Sequence, residues 1–310
     1  MEPVIPSPED AIAHLADSSE PLLNTRLADL NNLTFLHLEL LKKAWSDISQ
    51  DRRLQIIHRL VEMVEDDIEL NFDSIFKYLL KDADENVRAL AIEGLWENEE
   101  PSRIEQMIAL MENDPSEKVQ TAAALALGHF TTLAEHDKIR SAYKSRLVQA
   151  LLNTHSDRSK AIDVRRRSLE AVSPISLPEV KNAIKSAYHG SDDRLKISAV
   201  YAMGKSCDLG WLPDLFRELT SPNAELRYEA AGALGDLEEE SAVGGLTNLI
   251  DDPDIEVRMA AIQALGKIAT TQAKATLKHC LESNNEAARD AAEQALAELA
   301  EKEDPLHLKL

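Results

Sequence analysis

A short pattern of apolar and polar residues, which we call the phrase, occurs seven times along the chain. Two clear copies run from Leu226 to Gly235 and from Val257 to Gly266. Five weaker copies begin at Val87, Val119, Val164, Leu195 and Ala288. With the first residue counted as position 0, apolar residues fall at positions 0, 4, 5, 7 and 8, which form one broad stripe of an α-helix. The spacing predicts a helix at every copy and excludes strands there.

The interval between copies predicts how these helices are arranged. Successive copies are 32, 45, 31, 31, 31 and 31 residues apart, and a fixed period in this range is typical of a solenoid. A second amphipathic segment lies between copies, as in Arg103–Met111, Leu212–Leu219 and Ala242–Ile250. Each repeat is therefore predicted to be a helical hairpin.

The predicted fold is all-α, a right-handed α-solenoid of about eight helical hairpins with a period of about 31 residues. Residues 1–32 are expected to be an N-terminal extension with a short capping helix near Ala11–Leu15. Residues 33–302 are expected to form a single solenoid, and residues 303–310 a tail. Terminal repeats should be atypical because each has a face without a neighbour.

Helix ends are predicted from capping residues. Asp114 and Asp252 each precede a proline and are expected to cap the helix that follows. Four glycines are expected to end helices in the left-handed conformation. They are Gly128, Gly204, Gly235 and Gly266.

Position 1 of the phrase is basic in six of the seven copies. These residues are Arg88, Arg165, Lys196, Arg227, Arg258 and Arg289. Asp84, Asp192 and Asp254 lie four residues before three of them, the spacing of a helical ion pair. We interpret the row as structural.

The 45-residue step coincides with a change in charge. The whole chain has a net charge of −21, whereas the segment 137–167 contains nine basic and three acidic residues. We name the basic residues of the segment 138–167 other than Arg166 the basic island. It consists of Lys138, Arg140, Lys144, Arg146, Arg158, Lys160, Arg165 and Arg167. It could bind an anionic ligand or an acidic partner, or it could pair with acidic helices of the same chain. Residues 131–136 and 156–160 are expected to be long loops, which often carry function in a regular array.

A partner-binding face is predicted from positions 2 and 6, which the apolar stripe leaves free. In a two-layer helical solenoid the second helix of each hairpin usually lines the concave side. Ile197, Tyr201, Tyr228 and Met259 occupy these positions, so apolar side chains are expected where solvent-facing ones would be normal. Arg166 and Glu170 lie in the same rows and are expected to orient a partner. If the array curves strongly, the apolar residues could instead contact one another.

The sequence contains few other signals of binding or catalysis. The acidic composition argues against general nucleic-acid binding, which needs a basic footprint. No stretch is long and apolar enough for a membrane span, no secretory signal is evident, and the two cysteines form no metal or disulfide pattern. A cytoplasmic protein without cofactor or metal is expected. Trp45, Trp96 and Trp211 lie at helix junctions and are interpreted as packing residues. No nucleophile elbow, phosphate loop or other catalytic motif is present.

The phrase Val-Arg-x-x-Ala-Ala-x-Ala-Leu-Gly, preceded by aspartate or serine, resembles the HEAT-like repeat first associated with phycobilisome lyases. The resemblance covers about residues 70–300. It implies a solenoid whose relatives mostly bind proteins, while a minority are enzymes. Deoxyhypusine hydroxylases of this kind hold di-iron with His-Glu dipeptides, which are absent here. Helical-repeat DNA glycosylases need a basic, aromatic-lined cleft, which this composition excludes.

Two functions follow as expectations. The first is a non-enzymatic scaffold or adaptor that binds another protein through the concave face. The alternative is a bilin lyase-like or other cofactor- or anion-binding protein centred on residues 138–167.

Overall fold

The computed structural model describes residues 7–17, 20–96, 98–283 and 285–303, with side chains described as far as residue 301. These residues form α-helices and no strands, so the predicted all-α solenoid of helical hairpins is confirmed. The helices are α1 (Pro8–Leu15), α2 (Asn24–Ala28), α3 (Phe35–Trp45), α4 (Gln50–Asp66), α5 (Asp73–Leu79), α6 (Glu85–Glu93), α7 (Ser102–Asn113), α8 (Glu117–Glu135), α9 (Ser141–Ser156), α10 (Ile162–Val172), α11 (Pro178–Tyr188), α12 (Asp193–Lys205), α13 (Leu212–Glu218), α14 (Ala224–Asp236), α15 (Val243–Leu249), α16 (Ile255–Ile268), α17 (Thr271–Cys280) and α18 (Glu286–Glu303).

The chain divides into two compact units. The first unit comprises residues 1–150 and 158–164, and the second comprises residues 151–157 and 165–310. In the first unit α5 pairs with α6, α7 pairs with α8, and the helices α4, α6 and α8 stack on one another. In the second unit α11 to α18 form four hairpins, whose second helices α12, α14, α16 and α18 stack in chain order.

Small residues allow this stacking. The alanines at position 4 of six copies are fully buried, and so are the valines at position 0 of the first three copies. The alanines are Ala91, Ala123, Ala199, Ala230, Ala261 and Ala292. An alanine lets two helix backbones approach closely, so the repeats are joined by close contact rather than by bulky side chains.

The phrase-ending glycines serve close contact, and their expected role as left-handed caps is wrong. Among the described residues no glycine has a positive φ, and Gly128, Gly204, Gly235 and Gly266 all lie inside helices. A Cβ built on Gly204 would lie 2.6 Å from Ala233 Cα, and one on Gly235 would lie 2.7 Å from Ala264 Cα. Gly204 and Gly235 therefore make room for the next repeat. Left-handed residues follow these helices instead, at Cys207, Glu238 and Ala269.

Asp84, Asp192 and Asp254 cap helices, so their expected ion pairs along the helix are wrong. Their carboxylates accept hydrogen bonds from the first backbone amides of α6, α12 and α16, which is the normal arrangement at a helix N-terminus.

Asp114 and Asp252 do not cap the helices that follow them, so their expected role as N-caps is wrong, and Ser116 and Asp254 occupy those positions. Arg88 Nε and Nη2 donate to the Asp114 carboxylate at 2.9 and 2.8 Å, and Arg227 binds Asp252 in the same two-pronged way at 2.7 and 2.8 Å. In these two repeats the basic residue at position 1 thus holds an aspartate of the following repeat.

The 45-residue step mainly lengthens helices, so the expected loop at 131–136 is wrong, whereas the expected loop at 156–160 is confirmed for residues 157–160. Helix α8 continues to Glu135 and is 19 residues long, and α9 is 16 residues long and continues to Ser156. Leu133 and Ala134 are buried, which explains why this segment remains helical. Only short connections remain, around the left-handed Asp137 and at residues 157–161.

The N-terminal segment packs within the first unit. The expected short helix is α1, in which Ala11, Ile12 and Leu15 are buried. The buried Arg52 of α4 donates from its guanidinium to the carbonyl oxygen of Leu15 at 3.4 Å and to two further carbonyls of the same segment. The expected tail at 303–310 lies outside the described residues apart from Glu303, where α18 ends. Among the helices of the described ranges, none is both long and apolar enough to cross a membrane.

Candidate functional site

Three adjoining cavities run along the second helices of the second unit, and together we name them the groove. The first cavity, of about 320 Å³, is lined by residues from Arg166 on α10 to Glu256 on α16. The middle cavity, of about 160 Å³, shares Tyr228 and Glu229 with the first. The last cavity, of about 450 Å³, shares Gln263 and Lys267 with the middle one and extends along α18. Because neighbouring cavities share residues, the groove is one continuous surface.

The predicted apolar residues differ in exposure. Tyr228 is 42% exposed and stands between the first and middle cavities, as expected for position 2. Tyr201 and Met259 are half-buried and line the middle and last cavities. Ile197 is only 6% exposed, so its expected exposure is wrong. Because α12 and α14 pack closely, Ile197 forms part of the floor of the first cavity.

Arg166 and Glu170, predicted from the same rows, are connected through a serine. Arg166 Nε donates to Ser198 Oγ at 2.9 Å, and Ser198 Oγ donates to Glu170 Oε1 at 2.5 Å. Arg167 Nη1 donates to the other Glu170 oxygen at 2.5 Å. Both oxygens of the Glu170 carboxylate are therefore satisfied, and this end of the groove is held by charge-assisted hydrogen bonds.

Glu229 is the most perturbed acid of the groove. Burial, together with the negative charge of Glu170, raises its pKa to about 7, although Arg166 and Arg167 oppose the shift. Within the described part of the chain Glu229 makes no hydrogen bond and no ion pair. A carboxylate in this condition gains strongly from any cation that reaches it, because it has already lost much of its hydration.

An ionic chain lies in the middle cavity. Lys205 Nζ and Lys267 Nζ donate to the two oxygens of Asp236 at 2.7 and 2.6 Å. Burial opposes ionisation of Asp236, but the two lysines outweigh it and keep the pKa of this carboxyl below its ordinary value. Sequence reasoning missed these three residues. They occupy position 10 of successive phrases and alternate in sign, a signal that the 31-residue period makes available.

The lining of the groove is acidic. Seven acids face three bases, which are Arg166, Lys205 and Lys267, giving a formal charge of −4 when all acids are ionised. The seven acids are Glu225, Glu229, Asp236, Asp254, Glu256, Asp290 and Glu298.

The basic island is distributed over both units, and much of it is paired within the chain. In the first unit Lys144 binds Glu135 at 2.9 Å, and Lys160 donates to the Glu112 carbonyl oxygen at 2.6 Å. Arg146 lies 3.5 Å from the carboxylate of Glu105 and 3.6 Å from that of Glu112. These contacts agree with internal pairing, which was one of the two alternatives.

The remaining members of the basic island differ from one another in exposure and in hydrogen-bond partners. Lys138, Arg140 and Arg158, all in the first unit, are exposed. In the second unit Arg165 Nε donates to the His155 carbonyl oxygen at 2.9 Å, and Arg167 binds Glu170.

The tryptophans do not all pack inside. Trp45 and Trp211 are buried, as interpreted, whereas Trp96 is 55% exposed. Trp96 and the exposed Ile68 line a cavity of about 510 Å³ in the first unit. In the described ranges no three His, Cys, Asp or Glu side chains are grouped as metal ligands, and Cys207 and Cys280 are free.

Comparison with known proteins shows which family and which solved structures this architecture is similar to. The model of a family described as HEAT repeats matches residues 72–157 and 212–297, which is more than half of the chain. No curated protein matches the sequence. The structure of a Kap95:Nup1 complex is similar to 96% of this chain and 46% of its own, with 13% identity and a TM-score of 0.51.

Two further structures are similar at lower scores. The Escherichia coli protein YibA matches 81% of this chain and 97% of its own, with 16% identity and a TM-score of 0.47. Human deoxyhypusine hydroxylase matches 84% of this chain and 95% of its own, with 22% identity and a TM-score of 0.36. The resemblance to HEAT-like repeats is confirmed, while the phycobilisome lyase type stays a prediction. The chain belongs to the HEAT repeat family.

Proposed function

We propose that this protein is a non-enzymatic scaffold that binds a segment of another protein in the groove of its second unit. One observation carries the proposal: three cavities share lining residues along the stacked second helices, with the exposed ring of Tyr228 between two of them. A row of connected cavities fits an extended or helical segment better than a single compact ligand.

The rigidity of the groove supports a binding role. Glu170, Asp236 and Lys205 are fixed by ion pairs and hydrogen bonds between helices, so few side chains must become ordered when a partner arrives. An exposed tyrosine on such a surface is a typical anchor, because it buries a large area and loses little conformational entropy. The fold similarity to Kap95, whose structure was determined in complex with Nup1, agrees with this use of the fold. A cytoplasmic location is part of the proposal and is compatible with two free cysteines.

Position-specific crosslinking tests the proposal. A photoreactive phenylalanine derivative replaces Tyr228 in the full chain, and a matched variant carries it at Lys185, an exposed residue of the first helix α11. After irradiation in cells of the source organism, a distinct protein should crosslink at position 228 and not at position 185. The purified partner should then bind the Tyr228→Ala variant at least about tenfold more weakly than the Lys185→Ala variant. Absence of a crosslink at 228, or equal crosslinking at both positions, would overturn the proposed function.

A further inference from the structure

The first cavity combines an apolar floor with an acidic rim. Its apolar lining, here called the floor, consists of the buried Ile197, the half-buried Ala224 and the exposed Tyr228. Four acids stand around it, two from α14 and two at the start of α16. They are Glu225, Glu229, Asp254 and Glu256.

None of these four carboxylates is paired with a cation among the described residues. Glu225 and Glu256 are exposed, and Asp254 uses one oxygen to cap α16. The only base in the lining, Arg166, donates to Ser198. By contrast, Asp236 in the middle cavity and Glu170 beside the groove are both held by basic side chains. The unbalanced negative charge is therefore concentrated at the first cavity.

This combination specifies the ligand. A floor of aliphatic and aromatic carbon favours a long apolar stem, and the acidic rim favours a positive charge at its end. An arginine side chain meets both conditions, because its guanidinium can stack on the Tyr228 ring while it donates to two carboxylates. Glu229, shared with the middle cavity and unpaired, lies where such a charge would be most strongly held.

We propose that the first cavity binds an arginine of a basic protein segment, whose neighbouring residues continue along the middle and last cavities. The inference rests on the proposed function and adds the chemistry of the partner. Apolar residues of the segment would contact Tyr201 and Met259, which line those cavities.

Fluorescence anisotropy with the full chain tests the inference at an ionic strength of about 0.15 M. The probe is a fluorescein-labelled peptide of alternating arginine and leucine, and a peptide with glutamate in place of arginine is the control. The Glu225→Gln/Glu256→Gln variant should raise the Kd of the arginine peptide about tenfold. The matched variant Glu240→Gln/Glu282→Gln removes the same charge from exposed acids outside the groove and should change the Kd less than about twofold.

The outcomes separate the two proposals. Equal weakening in both variants would show attraction by net charge alone and overturn the inference. Displacement of the peptide by equimolar spermidine would also overturn it, since a small polycation would then suffice. If the peptide does not bind while the crosslink at position 228 persists, the basic chemistry is wrong and the scaffold function stands. Loss of the crosslink would reject the scaffold function itself.

Discussion

Arg227 and Asp252 are joined by two hydrogen bonds of 2.7 and 2.8 Å, and they belong to consecutive repeats. The same guanidinium donates to the Ser221 carbonyl oxygen at 2.8 Å, so one side chain binds the loop before its own helix and the aspartate of the next repeat. Arg88 and Asp114 repeat the arrangement in the first unit. The basic residue at position 1 is thus explained by contact between repeats for Arg88 and Arg227.

Arg227→Ala should lower the free energy of unfolding by about 3 kcal/mol, because it leaves the largely buried Asp252 carboxylate without its cation. Urea denaturation followed by circular dichroism measures the change. Arg59→Ala serves as control, since Arg59 is exposed and pairs with the exposed Glu62 on its own helix, and it should cost less than about 0.5 kcal/mol. Equal costs for the two variants would contradict the role of Arg227.

Ser283→Asp should stabilise the protein by about 1 kcal/mol. Ser283 follows Arg258 by the same separation as Asp252 follows Arg227, and among the described residues the buried Nε of Arg258 has no hydrogen-bond partner. An aspartate there would supply the missing carboxylate. Ser283→Asn should gain less, and the gain of Ser283→Asp should disappear in an Arg258→Ala background, as a double-mutant cycle would show. A gain that persists without Arg258 would contradict the pairing.

Two glycines of α14 should respond in opposite ways to alanine. Gly235→Ala places a methyl group 2.7 Å from Ala264 Cα and should destabilise the protein by about 1–3 kcal/mol. Gly232→Ala meets no atom within 4 Å and should stabilise it by about 0.5–1 kcal/mol, because the unfolded chain loses conformational freedom. Thermal unfolding of both variants measures the difference. A neutral Gly235→Ala would show that the backbones do not need this approach.

Glu229→Gln should stabilise the protein in a pH-dependent way. The pKa of Glu229 is about 7 in the folded chain, above the ordinary value of 4.5, so the folded state binds the proton more tightly than the unfolded state. Ionised Glu229 therefore costs stability, and this cost is absent below about pH 4.5, grows as the pH rises and is complete above about pH 7. The variant should gain about 2 kcal/mol at pH 8 and almost nothing at pH 4.5. Melting curves across this range test it, and a gain that is equal at pH 4.5 and pH 8 would contradict the raised pKa of Glu229.

The helices could be predicted from the sequence because each buries one stripe, and burial fixes the period of apolar residues. The glycines could not be assigned in the same way. Glycine at the end of a helical phrase fits a left-handed cap as well as a close approach, and only the position of Ala233 beside Gly204 distinguishes them. The length of α8 could have been predicted from the sequence, since Phe130 and Ala134 continue the stripe of Leu127 beyond the closing glycine, and all three are buried.

The candidate site was predicted in part. Tyr228 and Arg166 could be predicted because positions 2 and 6 lie outside the stripe. That prediction considers each helix by itself and ignores the helices packed against it. Ile197 is covered by the neighbouring helix, which a single-helix pattern does not include. Glu229 was not predicted because it occupies position 3 of its phrase, whereas the binding face was predicted from positions 2 and 6. In the second unit position 3 is occupied by Arg167, Ser198, Glu229, Ala260 and Ala291, so Glu229 is the one carboxylate of this row.

The glycine contacts of the second unit also bear on how such a chain can change in length. Gly204 contacts Ala233 and Gly235 contacts Ala264. Each of these contacts between adjacent repeats, which we call a joint, links a glycine to an alanine at the same distance along the sequence. A tandem duplication of one 31-residue copy would carry both its own glycine and its own alanine, and the new joints would be identical to the old ones. Whole-repeat insertions should therefore be accepted at α14 and α16, whereas gaining or losing a few residues would misalign every later joint.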